Sequence, residues 1–286
     1  MNLKEVKQRI ISIKSTQKIT SAMKLVSAAK LRRSQSAIEG MRPYHKKLNE
    51  IFALSLSGSD LTGNTFVAPR ELKRVVVIAM ASDTGLCGVF NSNIVRLARE
   101  TIDRYVAEGA VVEVMPIGRK MADAVKKMGV AVIEQQIPPL QAPYYRQLSS
   151  IASELMGRFY RGEIDRVELV YTQFRSASKL LPLAEPMLPI DLPQAKENVA
   201  ESVNSFILEP GKAELLSSLL PKVVSLHLYT AFLDSSASEH SARMIAMQAA
   251  TDNAQDLISE LTLEYNKGRQ QAITNEILDI VAGSNS

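Results

Sequence analysis

Tryptophan is absent from these 286 residues, aromatics make up 5%, and the only cysteine is Cys87. So few aromatic faces argue against a sugar-binding or base-stacking surface. One thiol excludes an intrachain disulfide and a zinc site built on several thiolates. Uncharged apolar runs such as Val223–Leu233 fall well short of the roughly 18 residues that span a bilayer. The opening Met1–Glu5 is neither an apolar signal region nor part of an Arg/Ser-rich transit segment, so a soluble protein on the cytoplasmic side is expected. Glycine and proline are missing from 1–39 and again from 222–267, where Ala, Leu, Lys, Glu, Gln and Ser predominate. What is present is a 46% hydrophobic content, enough to bury a core and to exclude wholesale disorder.

The basic character, a sequence pI near 9.0, belongs to one segment. Residues 1–50 hold twelve Lys/Arg against three Glu, whereas 212–286 hold five basic against nine acidic residues. The N-terminal segment is therefore expected to meet something acidic or to keep one face in water.

Ordinary helices average about 11–12 residues, so two stretches this long without a breaker need a special reason. The second carries a heptad: Leu216, Leu219, Val223, Leu226, Thr230, Leu233, Ala237, His240, Met244, Met247, Thr251, Ala254, Ile258, Leu261, Tyr265, Gly268 and Ala272. That period reads as a coiled-coil seam. The first follows the same rhythm at Leu3, Val6, Ile10 and Ile13, then is expected to slip through a stutter to Ile19, Met23 and Val26. The Ala/Ser-rich stretch 237–254 would admit a close partner helix. The two segments, opposite in charge, are expected to pair antiparallel. A helix over 212–283 would be on the order of 105 Å long at 1.5 Å per residue. A compact domain of ~140 residues is roughly 37 Å across, so the coiled coil is expected to project beyond it.

Between them the pattern alternates. Arg74–Ala81 reads as a buried strand, followed by a helix near Ser92–Glu108, a strand over Val111–Ile117, a helix near Met121–Lys127, a short strand over Val130–Ile133, a helix near Tyr144–Tyr160 and a strand over Val167–Phe174. This predicts an α/β domain with a mostly parallel sheet. Pro182, Pro186, Pro189 and Pro193 mark an irregular return.

No catalytic constellation emerges. Ser82–Asn91 sits where a phosphate loop would, but it is neither GxGxxG nor Walker A and has no Lys; Gly85 and Gly88 are expected to serve turn geometry and close packing. Cys87 would need a nearby His to act as a nucleophile. His45, His227 and His240 all fall on the helical segments, so Cys87 is expected to be a small buried residue and His240 a buried polar register device. Glu239-His240 lacks zinc-motif spacing. The cationic helix could instead bind nucleic acid, and a coiled-coil nucleic-acid-binding protein is the alternative reading.

The stretch Lys14–Arg33 (KSTQKITSAMKLVSAAKLRR) resembles the N-terminal helix of the gamma subunit of F-type ATP synthase, and Arg42-Pro43-Tyr44 fits the same family. Ser82–Gly88 (SDTGLCG) resembles its first-strand turn, with Thr84 where Arg is commoner. Ser241–Ala254 (SARMIAMQAATDNA) resembles its C-terminal helix, and Asn266–Ile277 (NKGRQQAITNEI) its closing signature, with Gly268 as a departure that could loosen that turn. The likeness runs the length of the chain and is loosest over 104–208.

The resemblance implies a Rossmann-like α/β foot over 72–211 and a two-helix antiparallel coiled-coil shaft from 1–57 and 212–286. It implies a non-catalytic rotor without a cofactor, one copy per complex, inside a ring of alternating alpha and beta subunits. It also implies docking with the epsilon subunit on the membrane c-ring, at the inner face of a bacterial plasma membrane. No regulatory cysteine-pair insertion of the chloroplast kind is present. Residues matched to ring contacts are Met23, Lys24, Lys30, Arg32, Arg33, Arg269, Gln270, Thr274 and Glu276; Ile277–Ala282 match a tip turning in an apolar sleeve. Phe206, Leu208 and Glu209 match the approach to the c-ring and epsilon.

Overall fold

A computed structural model describes residues 3–56, 66, 68, 70–133, 145–190 and 211–284. Helix α1 spans Leu3–Leu56; strand β1, Arg74–Met80, precedes α2, Phe90–Ala107. Strand β2, Val111–Ile117, leads to α3, Arg119–Lys126, and β3, Ala131–Val132. Helix α4, Tyr145–Tyr160, precedes β4, Arg166–Phe174, and β5, Leu180–Leu188; α5, Lys212–Ser284, closes the chain. The polypeptide divides into two compact units: Lys30–Ala242, which contains the sheet, and Met1–Ala29 with Arg243–Ser286, a pair of helical arms.

In the sheet unit the strand order is β3-β2-β1-β4-β5. Strand β1 pairs in parallel with β2 and β4, and β3 with β2; β5 runs antiparallel to β4. The centre falls to β1 because its run VVVIAM is apolar on both faces, as a strand covered twice must be. Val75, Val77 and Ala79 point to the face where α2 packs Ile94, Ala98, Ile102 and Tyr105. Val76, Ile78 and Met80, on the other face, are equally inaccessible.

The region of Pro182 and Pro186 is a strand, not the irregular return its prolines suggested. It lies at the sheet edge, where a missing backbone donor is tolerated. Helices α1 and α5 likewise run through Pro43 and Pro221, each at the cost of a helical hydrogen bond. One window of α5 is apolar and long enough to cross a membrane by composition, and 56% of it is buried inside the protein, as for a core helix.

In the arm unit the two helices run antiparallel. Gln17 Nε2 donates to Gln255 Oε1 at 2.8 Å, the Thr20 and Thr251 hydroxyls meet at 2.8 Å, and Lys24 Nζ donates to Gln248 Oε1 at 2.9 Å. Partner numbers fall on α5 as they rise on α1. The expected heptad of α5 holds here: Met247, Ala254 and Ile258 are buried, and Met244, Thr251, Leu261, Tyr265 and Gly268 half-buried. The stutter expected in α1 is not there. Val6, Ile10, Ile13, Gln17, Thr20, Lys24 and Ser27 keep one unbroken heptad facing α5, while Ile19 and Val26 point away at 58% and 56% exposure. Apolarity misled because the inward positions from 17 to 27 are polar: Gln17, Thr20 and Lys24 are satisfied across the pair, and Ser27 by the Met23 carbonyl of its own helix.

Candidate functional site

In an open parallel sheet, ligands sit outside the carboxyl ends of the strands. After β1 the loop Ser82–Gly88 turns its polar groups on itself. The Ser82 hydroxyl lies 2.6 Å from the Thr84 carbonyl and 2.9 Å from Asn91 Oδ1, and Asn91 Nδ2 approaches Cys87 Sγ at 3.2 Å. Cys87 is buried, as expected. The left-handed residues of this loop are Leu86 and Gly88; at Gly85 φ is not positive and a Cβ would meet nothing, so its conformation does not require glycine. The glycine that the topology demands is Gly118, after β2, which the sequence reading passed over. Its φ is +89° and an added Cβ would lie 2.0 Å from the Ala81 carbonyl oxygen.

At the end of β4 the strand and the turn after it are bonded to α5. Ser238 of α5 donates to the Thr172 carbonyl at 3.1 Å and Ser241 to the Ala177 carbonyl at 2.7 Å. Ala231 to Ser241 are all buried. The small residues there thus meet the β4–β5 hairpin as well as α1, through Ser34 and Ser236 at 3.4 Å. His240 is buried, in agreement with its place on the heptad.

A carboxylate that sequence reading missed is Glu168 of β4. It is inaccessible and held by Arg166 Nε at 3.0 Å, the Tyr105 hydroxyl at 2.9 Å and Arg104 at 3.5 Å. Burial, then the carboxylate's charge, pushes the Tyr105 phenol up to about 12. Two arginines and a phenol thus meet the carboxylate inside the fold. Among the described residues no cluster of three or more His, Cys, Asp or Glu is placed to hold a metal.

The distinctive surface is that of the arms. Their interior is polar at three successive layers, yet their outer faces carry Ile11, Ile19, Leu25, Val26, Leu257 and Leu263, all exposed. A groove of about 410 Å³ runs between Lys24 and Ala28 on one helix and Met244, Ile245, Gln248, Ala249 and Asp252 on the other. Towards the C-terminus the coil ends at Gly268, whose missing side chain leaves room for Leu3: a Cβ there would lie 3.1 Å from Leu3 Cδ2. The helix continues through this turn. In the same register every residue after Ala272 lies past the start of α1. Arg269 to Val281 are all exposed, including Ile273, Ile277, Leu278 and Ile280.

Of the expected contact residues, Met23 and Lys24 lie in the arm unit beside the polar layers, half-buried. Arg269, Gln270, Thr274 and Glu276 lie on the single-helix tip, where the Thr274 hydroxyl donates to the Gln270 carbonyl at 2.9 Å. Lys30, Arg32 and Arg33 belong to the sheet-bearing unit; the two arginines are exposed. Phe206, Leu208 and Glu209 lie outside the described residues.

Fold and surface together define two parts: an α/β domain whose β4–β5 hairpin is bonded to α5, and a two-helix coiled coil with apolar residues on its outside. The family model described as ATP synthase matches residues 2–286. The chain is 47% identical over 294 residues to the ATP synthase gamma chain of Bacteroides thetaiotaomicron, covering 99% of each. It is 44% identical to that of Flavobacterium psychrophilum, over 99% of this chain and 98% of the relative. The chain therefore belongs to the ATP synthase gamma chain family. The fold is shared with a chain of the OSCP/F1/c-ring assembly of the Euglena gracilis mitochondrial ATP synthase, at TM-score 0.62 and 19% identity over 99% of this chain and 93% of that one. It is also shared with a chain of the central stalk and c-ring structure of the Tetrahymena thermophila mitochondrial ATP synthase, at TM-score 0.56 and 24% identity over 81% of this chain and 99% of that one.

Proposed function

We propose that this chain is the central rotary shaft of an F-type ATP synthase, coupling ion flow through the membrane c-ring to the cycling of three catalytic beta subunits. The observation that carries the reading is the inversion of the arms: Gln17, Thr20 and Lys24 are turned inward while Ile19, Leu25 and Val26 are turned out. In water that arrangement is unfavourable; inside a surrounding ring of subunits it is the expected one.

An asymmetric shaft cannot touch three equivalent subunits alike. Each beta subunit meets a different face, and its open or closed state is shifted only by the difference in contact energy. Moving a two-state equilibrium from 1:99 to 99:1 takes about 5.5 kcal/mol. Burying one large aliphatic side chain contributes about 1.5–3 kcal/mol, so about two to four outward residues per face suffice.

The cations Lys24, Lys30, Arg32 and Arg33, around Met23, face acidic loops of beta. Lys24 has donors to spare beyond the one given to Gln248. Arg269, Gln270, Thr274 and Glu276 bond to the ring around the upper shaft, and Ile277–Ala282 turn in an apolar sleeve where few directional bonds resist rotation. Phe206, Leu208 and Glu209 approach the c-ring and epsilon. The foot corresponds to 72–211 and the shaft to 1–57 with 212–286. The subunit makes and breaks no bonds itself, needs no cofactor, and sits in one copy per complex at the cytoplasmic face of the inner membrane. Nucleic-acid binding is disfavoured, since phosphate recognition has no use for the apolar residues set among the cations.

The test is reconstitution of the chain with alpha and beta subunits. Salt-resistant co-purification and ATP-driven rotation are expected. A chain that stays apart from them and binds polyanions with a steep salt slope would sink the reading.

A further inference from the structure

Within the sheet unit the heptad of α5 runs through Leu226, Thr230, Leu233, Ala237 and His240. One residue after each stands a second stripe: His227, Ala231, Asp234, Ser238 and Ser241. At 3.6 residues per turn these five share one face of the helix, over about 21 Å. None is a large aliphatic, yet all are buried except the half-buried His227. Every polar member is bonded to β4, β5 or the turn that joins them. His227 Nε2 lies 2.8 Å from Glu185 Oε1, which also accepts the Tyr171 hydroxyl at 2.8 Å. The His227 ring lies 6.5 Å from that of His45 on α1. The Asp234 carboxyl accepts the Phe174 backbone N–H. Ser238 and Ser241 donate to the Thr172 and Ala177 carbonyls at 3.1 and 2.7 Å. About half a turn around α5 from this stripe, the buried Ser225 accepts the Ser149 hydroxyl of α4 at 3.2 Å. The sheet unit thus holds α5 by directional bonds from two opposite sides.

We propose that this stripe is a spline: it keys α5 against rotation about its own axis, and through it torque passes between the α/β domain and the shaft. The spline rests on the rotary reading and names the residues of that shaft that bear load. Apolar burial is non-directional and follows the area removed from water. A hydrogen bond instead weakens steeply as its angle departs from the line. Turning α5 by one residue would set Leu228, Phe232, Ser235, Glu239 and Ala242 against the hairpin. The Thr172 carbonyl would then face a second acceptor, Glu239, and Glu185 would face Leu228. Buried acceptors left without donors are costly, so the stripe fixes one angular setting. Both α1 and α5 continue as unbroken helices past Ala29 and Ala242 into the arms, so a key placed here acts on the whole length of α5.

The test compares variants in the assembled synthase. Ser238→Ala with Ser241→Ala removes two keys at almost no change of volume. Ser149→Ala with Ser225→Ala removes the opposite hold and both of its partners, so no orphan is left to disturb folding if the first pair packs poorly. Phe232→Leu is the control, since it takes buried volume from the same helix and no hydrogen bond. With alpha and beta immobilised, a bead is attached to the sheet domain through Val106→Cys, an exposed position on α2. Its angular variance should rise in both serine pairs and stay at the wild-type value in Phe232→Leu. ATP hydrolysis by the soluble complex, where the α/β domain bears no load, should be unchanged. ATP synthesis driven by an imposed ion gradient in vesicles, where load crosses the spline, should fall on the order of fivefold, the worth of one hydrogen bond. The spline is overturned if synthesis with Ser238→Ala and Ser241→Ala stays at the wild-type level. It is equally overturned if Phe232→Leu lowers synthesis as far, because loss of helix stability would then account for the effect. A wild-type chain that assembles with alpha and beta but turns no bead breaks the rotary reading, and the spline with it; that failure shows before any variant is made.

Discussion

The sheet unit and the arm unit share the same two helices and use them in opposite ways. Residues Ala231–Ser241 of α5 are buried without exception, whereas Arg269–Val281 of the same helix are exposed without exception. In the sheet unit, Ser238 and Ser241 are buried with their hydroxyls received by carbonyls of β4 and the following turn. On the tip, isoleucines are wet because the other helix has ended. Burial within this chain therefore measures where a partner already exists. The sheet unit carries its partners in its own sequence; the arms leave theirs to be supplied.

That contrast predicts where substitutions hurt the free chain. Gly118→Ala should have the largest effect, since its Cβ would lie inside the Ala81 carbonyl and the backbone must move. A loss on the order of 4 kcal/mol is expected in chemical denaturation. Phe232→Ala, at a fully buried side chain of α5, should cost about 3 kcal/mol through the cavity it leaves. If either variant unfolds like wild type, the sheet unit is not the self-sufficient half.

In the arms, joint replacement of Gln17 and Gln255 by Leu should raise arm stability by about 1 kcal/mol, seen as slower hydrogen exchange over 10–25. It should also loosen the register, because a polar layer in a coiled coil specifies pairing at some expense of stability. The smallest effect on the fold is expected from Val26→Asp, at a residue 56% exposed: within about 0.5 kcal/mol in the free chain. Its co-purification with alpha and beta subunits should nevertheless fall sharply. Met23→Lys, beside the inward Lys24, should leave assembly intact but lower ATP synthesis relative to hydrolysis, by adding a fixed ionic contact to beta. Unchanged coupling in that variant would remove Met23 from the contact surface.

The fold was largely readable because its signals are local. The heptad of α5, the apolar run of β1 and the strand Val111–Ile117 all stand where their periods placed them. The side of α1 that faces α5 was not readable past Ile13: the partners of Gln17, Thr20 and Lys24 lie more than two hundred residues away, and polar side chains announce no seam until those partners are known. Nor was β5, whose prolines are acceptable only because the strand ended up at an edge.

Sequence alone determined the two long helices, the parallel sheet between them and the kinship carried by Lys14–Arg33 and Asn266–Ile277, because each is written in neighbouring residues. Tertiary structure alone decided that Gly118 is irreplaceable, that Ser238 ties α5 to β4, and that Asp234, Glu185, His227 and His45 share one junction. Those facts depend on which distant segments touch, and contact between distant segments is settled by packing the whole chain at once.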